Sequence, residues 1–364
     1  MSAVQESVPA AAAELVPGPT ATPRSPGVWA QAWARLRRDR VGLGSLVIVA
    51  LFLVLVLLAQ AGVVAADWQR EVAEPFAPPT IAGPAARDPV EEPAASKASN
   101  VDLSDIDPLA PRYAEWDRLA AEVKTEIVVK SETRPFGADR LGRDVLAKAI
   151  KGAQISILVG IAAALLATLI GTVLGALAGY FGGWIDDGLE WLYNVFTAMP
   201  YILLIFALAA VFKSGPLART FTNGIAPIVI ILGAVGWTGI YRLIRAEYIK
   251  HRSREYVRAA EAIGATHLSR IFGHILPNVS HVVLVQLSLN VVSFIKAEVI
   301  LSFLGLGVPI DMVSWGTMLS DAQTELVLGY WWQLAAATLF MAVFVTAFAL
   351  LTDALRDAMD PKLR

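Results

Sequence analysis

The sequence contains no cysteine. Disulfide frameworks, thiolate metal sites and iron–sulfur clusters are therefore excluded. Charge is scarce too, since Asp, Glu, Lys and Arg make up 17% of the 364 residues, against about 25% in a soluble domain. Only four histidines occur, His251, His267, His274 and His281, all in or beside one stretch. His267 and His274, seven residues apart, can share a helical face, but no carboxylate completes a zinc spacing, so no metal site is expected. No GxxxxGKS/T phosphate loop, HExxH or GxSxG occurs. No catalytic residue is assigned, and the chain is expected to be non-enzymatic and to draw energy from elsewhere.

What the sequence has in abundance is apolar residues, at 56% of the chain with a mean hydropathy of +0.56. They cluster in blocks. About 20 apolar residues at 1.5 Å rise cross a roughly 30 Å hydrocarbon core. Six blocks qualify: 41–61, 156–180, 191–212, 224–241, 279–305 and 332–351. The expected fold class is an all-α polytopic membrane protein of six transmembrane helices. Residues 1–34, rich in Ala, Pro, Ser and Thr, are expected to be a disordered tail. Residues 35–61 form a basic flank and the first span, 62–152 a long external segment, and 153–364 a core of five spans.

Charge orients these spans. Arg35, Arg37, Arg38 and Arg40 precede the first, and 241–278 holds seven Lys or Arg against three acids, a net of +4. Both fall on one side of a six-span protein, which places the N- and C-termini in the cytoplasm. Segment 62–130 has seven Lys or Arg against thirteen acids, a net of −6, and suits the exterior. Loop 181–190 runs against the pattern, carrying Asp186, Asp187 and Glu190 with no base. Segment 78–93, punctuated by prolines, reads as irregular, and a small folded element is expected within 113–129. Trp331 and Trp332 fall where an interfacial aromatic belt would anchor the chain.

Gly171, Gly175 and Gly179 place small groups on one helix face, which suits tight packing between spans. In 253–278, Ser253 is expected to cap a short helix with Tyr256, Val257, Ala260 and Ile263 on one side, ended by Gly264. Thr266 is expected to cap a second helix with Leu268, Ile271, Phe272 and Ile275 as its stripe, and Pro277 to close the unit. Arg252, Arg254, Arg258 and Arg270 stud both helices. This pattern suits a docking element for a cytoplasmic partner or a segment resting on membrane lipid. Gln286, Asn290 and Ser293 share a face of the fifth span, and polar groups at that depth face protein or water. Lys296 and Glu298 are too close in sequence to pair on one helix face.

The run from Tyr256 to Ala265, continuing through His274 to Asn278, resembles the coupling loop of ABC importer permeases. Ala259, Ala260, Gly264, Leu276 and Pro277 match that pattern, while Arg258 stands where the family has its first Glu, with Glu261 close by. The run 136–146 resembles the GTDxxGRDxL signature of dipeptide and oligopeptide permeases, through Gly137, Asp139, Gly142, Arg143 and Asp144, with Ala138 in place of Thr. The runs 303–308 and 314–316 resemble their FLGLG and SWG elements, and 350–361 their usual ending. Glu298 matches a carboxylate the family keeps.

The resemblance implies a permease subunit with the type I ABC importer fold in the bacterial cytoplasmic (inner) membrane. It would move short peptides and be coupled through Tyr256, Arg258, Ala259, Ala260, Glu261, Gly264, His274, Leu276 and Pro277 to two cytoplasmic ATPase subunits. ATP and Mg would belong to those subunits, and this chain would hold no cofactor. A second homologous permease and an extracytoplasmic binding protein complete the implied assembly, with no nucleic acid. Gln286, Asn290, Ser293 and Glu298 are the candidate pathway residues, and 137–150 an amphipathic outer element. Nickel, opines, oligosaccharides or antimicrobial peptides are alternative cargoes, and a secondary transporter or a membrane scaffold alternative classes.

Overall fold

The computed structural model describes residues 33–84, 107–109, 112–122, 130–214, 224–309 and 311–359. The expected tail lies almost wholly outside these residues, as does much of the acidic segment. Regular structure among them is helical, with four isolated bridges and no strand. In chain order the helices are α1 (Arg40–Gln60), α2 (Tyr113–Glu122), α3 (Val145–Phe181), α4 (Gly183–Thr197), α5 (Tyr201–Ser214), α6 (Ala226–Val235), α7 (Thr238–Arg252) and α8 (Glu255–Ala262). A π-helical turn (Ser269–Ile275) then runs into α9 (Leu276–Phe303), followed by α10 (Trp315–Val327) and α11 (Trp332–Met359).

Among the described residues, four continuous helices are long and apolar enough to cross a membrane: α1, α3, the π turn with α9, and α11. The third and fourth expected spans are broken. α4 and α5 meet at 88° and α6 and α7 at 44°, so six spans result if each bent pair counts as one. Pro200 stands in the first break, where it has no N–H for the ladder and disfavours helix at Met199. At the second, the ring of Phe294 from α9 occupies the space where Gly236 lacks a Cβ.

α3 organises the bundle. Asp144 caps it by accepting from the backbone N–H groups of Leu146 (2.8 Å) and Ala147 (3.2 Å). Its 37 residues extend roughly 55 Å at 1.5 Å per residue, well beyond a ~30 Å hydrocarbon core. It contacts α1, α4, α6, α7, α9, α10 and α11.

The glycine face of α3 seats the α7 backbone. A Cβ at Gly171 would lie 2.6 Å from the Trp237 carbonyl oxygen, at Gly175 2.7 Å from that of Tyr241, and at Gly179 2.5 Å from that of Arg245. The two helices thus step together four residues at a time. The side chains of the same α7 residues hold α4. Arg245 donates to both carboxylate oxygens of Asp186 (2.5 and 2.7 Å), Tyr241 stacks on Tyr193, and Trp237 meets Phe196 edge-on. The acids of 181–190 therefore lie in a helix, and Asp186 and Glu190 face a base supplied by another element.

Gly175→Val should separate α3 from α7, because the obstructing atoms are backbone. A loss of about 1–3 kcal/mol is expected for such overpacking, read as a lowered unfolding temperature in detergent. Gly188→Ala, where the added Cβ meets nothing within 4 Å, should raise stability slightly.

Candidate functional site

Three groups of predicted residues lie at different levels of the bundle. The first is the turn between α7 and α9. Ser253 does not cap α8; its hydroxyl donates back to the Lys250 carbonyl (3.2 Å) at the end of α7, and Arg254 opens α8 without a side-chain cap. Gly264 adopts φ +85°, and the bonds from Gly264 N to Glu261 O and from Ala265 N to Ala260 O (both 2.9 Å) close the helix end. The left-handed conformation is the reason for glycine there. Thr266 does cap the next turn, accepting from Ser269 N (3.3 Å).

Pro277 does not close the unit. The π turn carries straight into α9, giving a 35-residue rod, Ser269–Phe303. Pro277 sits in the first turn of α9, where the ladder shifts from five-residue to four-residue steps and a missing N–H is tolerated. The Tyr248 hydroxyl donates to the Ile271 carbonyl (3.1 Å), fastening the π turn to α7.

Val257, Ile271 and Ile275 are buried among Ile240, Ile244, Tyr248 and Val279, and Ala260 is buried as well. Three other members of the expected apolar stripes turn outward: Ile263 is 84% exposed, Leu268 66% and Phe272 40%. Arg258, Ala259, Glu261 and Gly264 are exposed with them, while Tyr256, His274 and Leu276 are half-buried. Arg270 is buried, pairs with Glu261 (2.7 Å) across the Gly264 turn and lies over the Tyr180 ring (5.7 Å). Of the histidines, His251 bonds the Tyr256 hydroxyl, His267 bonds Arg270 and Tyr180, and His274 bonds the Ser269 carbonyl. No metal-binding group forms among the described residues. Burial holds the Tyr256 hydroxyl above the usual tyrosine range, against the pull of Arg254 and Asn278.

The second group surrounds the N-terminal end of α3. Segment 137–150 is a tight loop followed by the opening turns of α3. Asp139 ties the loop together, accepting from the N–H groups of Leu141 and Arg143 (2.9 Å each), from Arg143 Nε (2.7 Å) and from Lys148 Nζ (2.9 Å). Lys148, 1% exposed, also reaches Gln333 (3.1 Å) and Asp321 (3.5 Å), so all three ammonium protons have acceptors. Burial pulls the Asp139 carboxyl up, but Lys148 and Arg143 outweigh it and hold the group below its ordinary 3.8. Burial pushes the neighbouring Glu325 carboxyl up, against the Arg140 N–H and Lys148.

Gly137 and Gly142 take φ +79° and +75°. The Gly142 carbonyl accepts from Val72 and Ala73 (3.0 Å each), clasping the segment that follows α1. Ala73 in that segment is bridged to Ser131, and Pro79, in the stretch 78–93 read as irregular, to Arg134; 85–93 lie outside the described residues. Trp332 is no lipid anchor. It is 7% exposed, and its Nε1 donates to the Ala138 carbonyl (2.7 Å); Trp331 alone of the two is exposed.

The third group lies in α9. Glu298 is fully buried and pairs with no base. It accepts from the hydroxyls of Ser156 on α3 and Ser302 (2.6 Å each), which in turn accept from the backbone N–H groups of Trp315 (3.2 Å) and Val308 (3.3 Å). Lys296 is exposed on another face. Gln286 donates to Asn290 (3.2 Å), whose amide nitrogen is buried without a partner, and Ser293 bonds back to the Leu289 carbonyl. Sequence reasoning missed Lys148, Gln333 and Ser156. Their signal was a polar side chain at or inside the edge of an apolar block.

Residues 171–364 match the model for binding-protein-dependent transport system inner membrane components, and 27–79 that for the N-terminal TM domain of oligopeptide transport permease C. The chain belongs to the binding-protein-dependent inner membrane component family. It is 36% identical to the oligopeptide transport system permease protein OppC of Bacillus subtilis, over 70% of this chain and 80% of that protein. To the dipeptide transport system permease protein DppC of the same organism it is 39% identical, over 63% and 69%. A solved amino acid ABC transporter with histidines aligns over 58% of this chain and 93% of that one, at TM-score 0.42 and 16% identity. This inner membrane component is thus an all-helical, multi-pass membrane protein.

Lys148→Met should cost about 1–3 kcal/mol, because it removes a charge-assisted bond from a buried carboxylate that keeps Arg143; thermal unfolding of the purified permease measures this. Asp139 stabilises the fold fully above its ordinary 3.8, and that contribution is lost as pH falls through its depressed folded value. Acid below that window should therefore lower the unfolding temperature of the wild type.

Proposed function

We propose that the chain is a permease subunit of an ATP-driven ABC importer moving short peptides across the cytoplasmic membrane. The dipeptide and oligopeptide permeases among its relatives support the cargo class. In this reading ATP and Mg act in two cytoplasmic ATPase subunits, a second permease completes the pathway, and an extracytoplasmic binding protein delivers cargo. Residues 1–34 and the turn at Gly264 face the cytoplasm, and 62–152 faces outward.

One observation carries the coupling role: an exposed apolar and basic knuckle (Ala259, Ile263, Leu268, Phe272, Arg258) stands on a buried base tied to both α7 and the α9 rod. A partner pressing on the knuckle would move both helices, the two-state element that coupling needs. Residues Glu261, Gly264 and His274 shape it, and Gln286, Asn290 and Ser293 border the pathway on the same rod. Glu298 ties that rod to α3.

Gly264→Pro replaces φ +85° with about −65°. Uptake and ligand-stimulated ATPase activity of the assembled complex should fall about ten-fold or more, the scale of a coupling free energy of 1–3 kcal/mol. Normal uptake and stimulation would refute the assignment. A cysteine placed at Asn290 in this cysteine-free chain should react with small thiol reagents in at least one nucleotide state. Protection in every state would remove Asn290 from the pathway.

A further inference from the structure

A cleft of 340 Å³ opens where α1 ends, lined by Gln60, Lys151, Gln154, Leu158 and Asp311. Its depth in the membrane follows from α1, whose 21 residues span roughly 31 Å and so leave the ~30 Å hydrocarbon at Gln60. The cleft therefore lies at head-group level. Its polar wall has both charges. The Lys151 ammonium makes only a long hydrogen bond to the Ala59 carbonyl (3.5 Å), and Asp311 is exposed. Gln154 is 5% exposed, and while its Nε2 bonds Gln60, its Oε1 is buried without a partner. An unpaired buried amide oxygen is costly, and a donor supplied by a ligand would relieve it.

The apolar wall continues beyond the cleft. Leu158 is 40% exposed, and Leu165 (53%) and Leu169 (63%) follow it on the same face of α3. From Leu158 to Leu169 that stripe runs inward for about 16 Å at 1.5 Å per residue, close to one leaflet, or half of the ~30 Å core. A charged cleft at head-group level above a leaflet-long apolar track fits an amphiphile.

We propose that this cleft holds one phospholipid with a phosphoethanolamine head group. Lys151 takes the phosphate, Asp311 and the Gln154 carbonyl take the ammonium, and the α3 leucines take an acyl chain. The assembled complex, reconstituted in vesicles of phosphatidylethanolamine and phosphatidylglycerol in equal parts, is released into native mass spectrometry. Wild type should retain one phosphatidylethanolamine. Lys151→Ala and Asp311→Asn should each reduce that retention about ten-fold, the scale of one charge-assisted hydrogen bond. Equal retention in wild type and both variants overturns the proposal. So does preference for phosphatidylglycerol, or loss in Lys151→Ala alone, either of which means a site for phosphate only. A photoreactive residue at Leu158 should label lipid; labelling of the second permease chain instead would make the stripe a protein interface and refute the lipid.

Discussion

The close approach of the α7 backbone to the glycine face of α3 sets the rest of the bundle. Three glycines at four-residue intervals bring carbonyl oxygens to where Cβ atoms would otherwise lie. Small residues allow such contact between helices in a bilayer, where apolar burial between helices gains little over contact with lipid. With α7 fixed in register, its side chains present an ordered column (Trp237, Tyr241, Arg245) to which α4 adheres. Its C-terminal end is equally fixed, so the Gly264 turn and π turn are built on a rigid support.

The two ends of the core are made differently. At the Asp139 end, cohesion is polar: one lysine, its carboxylate and amide partners, and a clasp of backbone bonds around Gly142. At the Gly264 end it is apolar, with Val257, Ile271 and Ile275 packed against α7 and, Arg270 apart, the charges placed outside. Glu298 belongs to neither. Its two serine partners satisfy it within the bilayer without a counter-ion, at the point where α3, α9 and the loop leading to α10 converge.

Much of this was legible in the residues. Apolar length alone placed α1 and α11, the helix-ending glycine at 264 followed from its place after an apolar stripe, and the packing face at 171–179 followed from glycine spacing. The breaks at Pro200 and Gly236 were not legible as bends, because a proline or glycine in an apolar block is compatible with a continuous span until neighbours decide. The acids of 181–190 read as an anomaly because their partner, Arg245, is 59 residues away from Asp186 in sequence. Pro277 looked like a terminator because the π turn that accommodates it has no compositional mark. Trp332 looked like an anchor because the Ala138 carbonyl it binds is 194 residues distant.

The α9 rod has a mechanical consequence. Phe294, seated on Gly236, is its tight contact with the bend between α6 and α7. From Arg270 to that contact the rod measures roughly 36 Å, and from there to Phe303 roughly 13 Å, at 1.5 Å per residue. Tilting about such a fulcrum would make the Arg270 end travel nearly three times as far as the Phe303 end. Under the proposed coupling role the rod would work as a reduction gear, turning a broad stroke at its Arg270 end into a short displacement at its Phe303 end.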